Sequence, residues 1–211
     1  MQNDGVKSAA EIARMRRAAE ITDEVFDGVL AFLKEGVTER EVADFIEEKT
    51  KSLGASGVSF DTIVAFGESG AEPHHVPTDR PLARGELVTV DMGAVYEGYC
   101  SDFTRTVAFG EADEEGKKVY AIVLAAQRAA MRSVREGAAC RAVDAVARDI
   151  IAEAGYAEAY IHGTGHGVGT LIHEAPTLNA RSEESLLAGQ VVTVEPGIYL
   201  KGRLGVRIED M

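Results

Sequence analysis

The sequence predicts an α+β domain built from two related αα-ββ halves, and three observations carry that prediction. VTVDMG at 88–93 returns as VTVEPG at 192–197, the acid changing only from Asp to Glu. Laid on 186–202, the segment 82–98 keeps seven identities in 17 positions. EGVTEREV at 35–42 is echoed independently by EGAACRAV at 136–143, and the order helix, helix, strands recurs in each half.

The elements follow in order. Residues 9–35 carry a helical period, with Ile12, Met15, Ala19, Val25 and Phe26 near one stripe and Gly36 as the stop. Thr38, with Glu41 three residues on, makes a capping box for a second helix, EREVADFIEEKTKSLG. Residues 57–67 read as strand and turn. Runs 86–96 and 99–108 are β-rich and separated by Glu97-Gly98, which predicts a two-residue hairpin. The second half repeats the order: a helix over 113–135 stopped by Gly137, and a helix over 140–154 ended by Gly155. A Gly- and His-rich stretch (162–173) follows, then the strand QVVTVEPGIYL and a short GVRIED. Residues 1–6 read as a flexible lead and 7–211 as one domain.

Composition narrows the class. With 45% apolar and 27% charged residues, the chain reads as a soluble globular protein. No apolar run approaches the roughly 18 residues of a membrane span, and the N-terminus carries no apolar stretch of a signal peptide. Cys100 and Cys140 have no metal or disulfide spacing, so the cytoplasm is the expected compartment. A net charge of −13 argues against nucleic acid and anionic membrane as partners.

The acids suggest chemistry. A two-residue loop at Glu97-Gly98 sets Asp91 opposite residue 104, so Asp91 and Asp102 are diagonal neighbours on one face. Two carboxylates on a buried face need cations, a shared proton or solvent. The second half offers Glu195 and Glu209, and stacking the halves about a pseudo-twofold axis gathers all four acids. HGTGHGVGTLIHEAP adds His162, His166 and His173 among glycines. Singly, an Asp on a strand is ordinarily a turn or cap residue, and a lone His a satisfied core or surface group. Together, two Asp, two Glu and one His describe a dinuclear site for Mn, Co, Fe or Zn, two ions about 3.5–4 Å apart, with a bridging hydroxide as nucleophile. Strand parity adds a condition. Residues 195 and 209 sum to an even number, so their hairpin needs an odd loop or a bulge, near Lys201-Gly202-Arg203 or Gly205, to aim both acids at one face.

VDMGAVYEGYCSDFTRT, HGTGHGVGTLIHEAP, VVTVEPGIY and GVRIED together resemble the pita-bread metallopeptidases, in particular the branch of Xaa-Pro dipeptidase (prolidase) and Xaa-Pro aminopeptidase. The similarity runs from about Lys7 to the last residue. It implies the pita-bread (creatinase/aminopeptidase) fold, a curved antiparallel sheet covered by helices. It also implies two divalent ions held by Asp91, Asp102, His166, Glu195 and Glu209, with Asp102 and Glu209 bridging.

Glu195 is then the proton shuttle as well as a ligand. The family's histidine ahead of the first Asp strand falls on His74 of EPHHVP, with His75 beside it. His173 matches a histidine at the scissile region, His162 one lining the substrate site, and Arg207 an arginine supporting the last ligand. The implied substrate is a short peptide with proline second, and the resemblance admits a homodimer. Methionine aminopeptidases usually lack the SDFTR run and the Arg of VRIE, so that activity is the alternative, along with a non-catalytic pita-bread binding module. The family usually carries a further N-terminal domain and continues past the last Glu. On that pattern the chain reads as a catalytic domain or a short relative.

Overall fold

The computed structural model describes residues 5–211. The first half runs α1 (Ala9–Phe32), α2 (Glu39–Ser52), β1 (Gly57–Val58), β2 (Ile63–Phe66), β3 (Leu87–Met92), β4 (Ala94–Tyr96), β5 (Tyr99–Cys100) and β6 (Phe103–Ala108). The second runs α3 (Glu114–Ser133), α4 (Cys140–Glu153), β7 (Gly165–Gly167), β8 (Glu174–Leu178), β9 (Gly197–Leu200) and β10 (Leu204–Arg207). The α+β class and the repeated order of helices before strands are as the sequence predicts. Residues 1–4 of the expected flexible lead lie outside the described residues, and Val6 bridges to Gln190.

Local chemistry sets the helix starts. Thr38 and Glu41 form the expected capping box, and Ser8 with Glu11 forms another at α1. The buried stripe of α1 is Met15, Ala18, Ile21, Thr22, Val25 and Val29, rotated from the expected one. Ile12, Ala19 and Phe26 are only partly buried. Thr22 enters the stripe because its hydroxyl bonds Ser101 Oγ at 2.7 Å and the Ala18 carbonyl at 3.0 Å.

Each half has its own core beneath its helices. Ile21, Val25, Val42 and Ile46 pack with Val88, Val90 and Met92 of β3. Val119, Val123, Val143 and Ile151 pack with Val194, Ile198, Val206 and Ile208. Alternation along β3 therefore aims Thr89 and Asp91 away from the helices.

The first hairpin turns at Glu97 and Gly98, both with positive φ (47° and 83°), the conformation a two-residue hairpin loop requires. Its register runs from Tyr96 opposite Tyr99 to Leu87 opposite Ala108, with Asp91 opposite Thr104. The second hairpin pairs Leu200 with Leu204 and Gly197 with Arg207, leaving Lys201, Gly202 and Arg203 as a three-residue loop. That odd loop puts Glu195 opposite Glu209 on one face. The bridge from Val194 to Asp210 keeps the same register.

The halves join where Thr104 bridges Glu209. Arg105 also bonds the Glu209 carbonyl and, at 2.6 Å, the Asp210 carboxylate.

Two expectations change. Of QVVTVEPGIYL, only Gly197–Leu200 forms a continuous ladder. The preceding residues divide their bonds between neighbours, Thr193 N to the His166 carbonyl and Val194 N to the Asp210 carbonyl, each at 2.8 Å. The strand β8 was not expected within the His-rich region. Among the described residues, no helix is long and apolar enough to cross a membrane.

Candidate metal centre and active site

Where the two hairpins meet, a cavity of about 510 Å³ is lined by Asp91, Asp102, His166, Glu195 and Glu209, with His74, His75, His162, His173 and Arg207 around them. Close backbone packing makes this possible. A Cβ on Gly165 would overlap the Thr193 carbonyl, so only glycine lets the His166 strand lie against the Glu195 strand. Glu195 N then donates to the Thr164 carbonyl at 2.8 Å. The Thr193 hydroxyl accepts from His166 N and donates to Glu195 Oε1, each at 3.1 Å.

Asp102, His166 and Glu209 each place one ligand atom within 4.8 Å of the others. His166 Nε2 lies 3.5 Å from Asp102 Oδ2 and 3.3 Å from Glu195 Oε1. Its Nδ1 lies 3.0 Å from the Gly167 carbonyl. A carbonyl only accepts, so Nδ1 carries the proton and Nε2 is the nitrogen presented to the carboxylates. Metal-binding histidines are commonly oriented in this way.

Asp91 stands apart from the three, its Oδ2 2.6 Å from Arg207 Nη2. Its Oδ1 is buried without a hydrogen-bond partner. Such an orphan oxygen is costly unless something satisfies it. Four carboxylates, one of them carrying this orphan oxygen, and one imidazole nitrogen suit divalent cations.

Electrostatics separates the acids. Burial, then the Asp91 and Glu195 charges, push Asp102 well above the usual carboxylate range. Burial and the charge of Asp102 do the same to Glu209. Asp91 is raised by burial, against the pull of Arg207. Burial also opposes ionisation of Glu195, but the His166 hydrogen bond and the nearby His166 and Arg207 charges outweigh it and hold Glu195 low. Burial would lower His166, and its bond to Glu195 raises it instead. Of the four acids, Glu195 is the one these contacts favour as an anion. A cation would replace the proton on His166 Nε2.

Arg207 supports Asp91, where the resemblance implied the last acid. It reaches Glu209 only through Thr104, whose hydroxyl accepts from Arg207 Nε at 3.2 Å and donates to Glu209 at 2.7 Å. Arg207 Nη1 also donates to Tyr199 OH at 2.9 Å, and Tyr199 OH lies 2.7 Å from His162 Nε2. His162 Nδ1 donates to the Gly163 carbonyl at 2.7 Å. Both nitrogens of His162 are thus engaged, and it offers the cavity its ring rather than a free donor. Burial lowers its pKa, which fits a neutral ring accepting from Tyr199. Burial and the neighbouring His166 likewise lower His173, whose ring centroid lies 4.3 Å from that of His166.

The structure separates the adjacent histidines 74 and 75. His75 Nε2 lies 2.8 Å from Glu39, a fully buried carboxylate that also accepts from Phe66 N, Thr78 N and Thr78 Oγ1. His75 is therefore tied to α2, and His74 is the exposed one of the pair. Sequence reading missed Glu39, Tyr199, Thr104 and Thr193. Parity could have found three of them, since Thr193 and Tyr199 share a strand face with Glu195 and Thr104 with Asp102.

A family model described as metallopeptidase family M24 matches residues 13–211. An uncharacterized peptidase of Staphylococcus aureus is 46% identical over 205 residues, covering 97% of this chain and 58% of that protein. Among solved structures, the prolidase from Pyrococcus furiosus superposes with a TM-score of 0.96 at 42% identity, covering 98% of this chain and 61% of that one. The Xaa-Pro dipeptidase from Bacillus anthracis gives 0.97 at 46% identity, with 98% and 58% covered. The X-Pro aminopeptidase from Thermotoga maritima gives 0.96 at 42%, with 99% and 59% covered. The fold is the pita-bread fold of those enzymes, and this chain spans less than two thirds of their length.

Proposed function

Because the chain belongs to metallopeptidase family M24, we propose that it hydrolyses the bond between an N-terminal residue and proline in short peptides, as an Xaa-Pro dipeptidase or Xaa-Pro aminopeptidase. The observation that carries this reading is the gathering of Asp102, His166 and Glu209, with Glu195 and Asp91 beside them, on one cavity wall. The names of the similar solved structures supply the substrate class.

In this reading two divalent cations are held by Asp91, Asp102, His166, Glu195 and Glu209. When bound, they supply Lewis acidity toward the scissile carbonyl and the attacking water. The residues do the rest. Glu195 takes a proton from the water as it attacks the carbonyl carbon. It returns that proton to the proline nitrogen as the C–N bond breaks. The proline nitrogen has no hydrogen of its own in the peptide, so this delivery lets it leave as a neutral amine. His74 and His173 stand at the cavity as donors to the carbonyl oxygen as it gains charge. Arg207 holds Asp91 in place, and through Tyr199 it fixes the ring of His162.

The test is release of free proline from Ala-Pro, and of Ala from Ala-Pro-Ala, with Mn or Co added and with chelator as control. Methionine release from Met-Ala-Ser without cleavage of either proline peptide would assign the chain to methionine aminopeptidase chemistry. Hydrolysis of none of the three would leave a binding module.

A further inference from the structure

We propose that Lys7, at the opposite end of the chain from the last acid, is a positioning residue for His173, acting through Glu174. The inference rests on the peptidase reading for its kinetic consequence, though not for its structural one. Lys7 Nζ lies 3.1 Å from Glu174 Oε2, and the two side chains are only 6% and 10% exposed. Glu174 is the residue directly after His173. Its other oxygen, Oε1, accepts from Leu171 N at 3.1 Å. Gly169 packs so closely that a Cβ there would strike the Glu174 carboxylate. The turn from 169 to 174 is therefore folded around this one carboxylate.

Its start is held separately, by Cys100 N donating to the Gly169 carbonyl at 2.8 Å and by Ile172 packed against Val168, while Leu171 at its tip is 66% exposed. Among the described residues, the His173 ring has no hydrogen-bond partner, only its contact with the His166 ring. The place of that ring is then set by its backbone, and the Glu174 carboxylate ties that backbone on the Leu171 side, where the Cys100 and Ile172 contacts do not reach. Lys7 is itself held on both sides. Its N–H donates to the Gly189 carbonyl at 2.8 Å, and Ser8 after it caps α1. Removing the ammonium leaves Glu174 buried without its counter-charge, and the carboxylate would turn toward water and carry the turn with it.

The test uses Lys7→Met, which keeps most of the apolar stem, Lys7→Arg, which keeps the charge, and both Lys7→Met and wild type on a His173→Ala background. The chain has five histidines, so ring ¹⁵N–¹H spectra of histidine-labelled protein are assignable by single substitution. In Lys7→Met the His173 signals should shift or broaden while those of His162 stay, and Lys7→Arg should restore them. On Ala-Pro, kcat should fall roughly 10- to 100-fold, as for an ångström-scale misplacement of a catalytic group, with little change in KM. That loss should disappear on the His173→Ala background. If Lys7→Met does not fold, Glu174→Gln, which keeps an acceptor for Leu171 N, is read in the same way. Unchanged His173 signals in a folded variant would overturn the proposal, as would an equal kcat loss without His173. If wild type cleaves no proline peptide, the peptidase reading fails and the spectra alone decide the positioning role.

Discussion

Replacing Arg207 by Met tests whether the site is held together by a buried ion pair. The guanidinium is 4% exposed and bonds Asp91, Tyr199 and Thr104. Met fills much of the same volume without the charge. Breaking a buried, hydrogen-bonded pair by removing one partner costs about 3–5 kcal/mol. For a chain of 211 residues that is a fall in Tm of about 7–11 °C. The measurement is thermal unfolding in chelator, so that no cation replaces the lost charge.

The pH dependence has a definite sign. Asp91 is already raised by burial, and without Arg207 its folded-state pKa rises further. An acid raised in the folded state adds stability below its unfolded value of about 3.9 and loses it as pH rises through the folded value. The deficit of Arg207→Met should therefore be larger near pH 8 than near pH 5. Adding Asp91→Asn should recover a large part of it near pH 8. A Tm loss under about 2 °C, or no recovery in the double variant, would refute the ion-pair account.

Further outcomes follow from the same geometry. Glu195→Gln should fold normally and lose nearly all turnover on Ala-Pro, while His173→Ala should lose roughly 10²–10³-fold in kcat; near-normal rates for both purified variants would sink the proposed roles. Gly165→Ala forces a Cβ into the Thr193 carbonyl, so it should separate the His166 and Glu195 strands and weaken Mn binding in calorimetry well before it unfolds the chain. Glu39→Gln removes a charged acceptor of four hydrogen bonds, worth about 1.5–3 kcal/mol, or about 3–7 °C in Tm near pH 7. Burial opposes the charge of Glu39, but its bonds to His75, Thr78 and Phe66 hold its pKa below the ordinary value. Its stabilisation is thus present above about pH 4.3 and lost as pH falls through the folded value. The gap between Glu39→Gln and wild type should close in acid, and a gap independent of pH would count against it.

What could be read from the sequence was what depends on neighbours along the chain. The capping box of Thr38 and Glu41, the turn at Glu97-Gly98 and the odd loop before Glu209 all follow from local spacing. So does the sharing of one face by the four acids, because strand parity is a local count. What escaped depends on partners far away. Lys7 and Glu174 are 167 positions apart, and nothing near either marks it as buried. Glu39 reads as an ordinary first-turn acid of a helix until the 72–78 loop folds over it. The stripe of α1 was misplaced because Thr22 is buried by its bond to Ser101, which hydrophobic periodicity does not register. The strand β8 was hidden because EAPTL carries a proline and two polar residues, and its pairing comes from glycine-flanked His166.

The three residues Lys201, Gly202 and Arg203 are exposed and lie away from the cavity. Their number still sets the phase of everything that follows. Losing or gaining one residue there would turn Glu209 from the cavity toward the helices, unless a bulge took up the slip. In the other hairpin an even loop does the same work for Asp91 and Asp102. If the two halves descend from one ancestor, a shared site for both acid pairs required an odd difference in length at this turn or a bulge in its place. The geometry of the site therefore constrains the parity of this loop's length more than the identity of the residues that fill it.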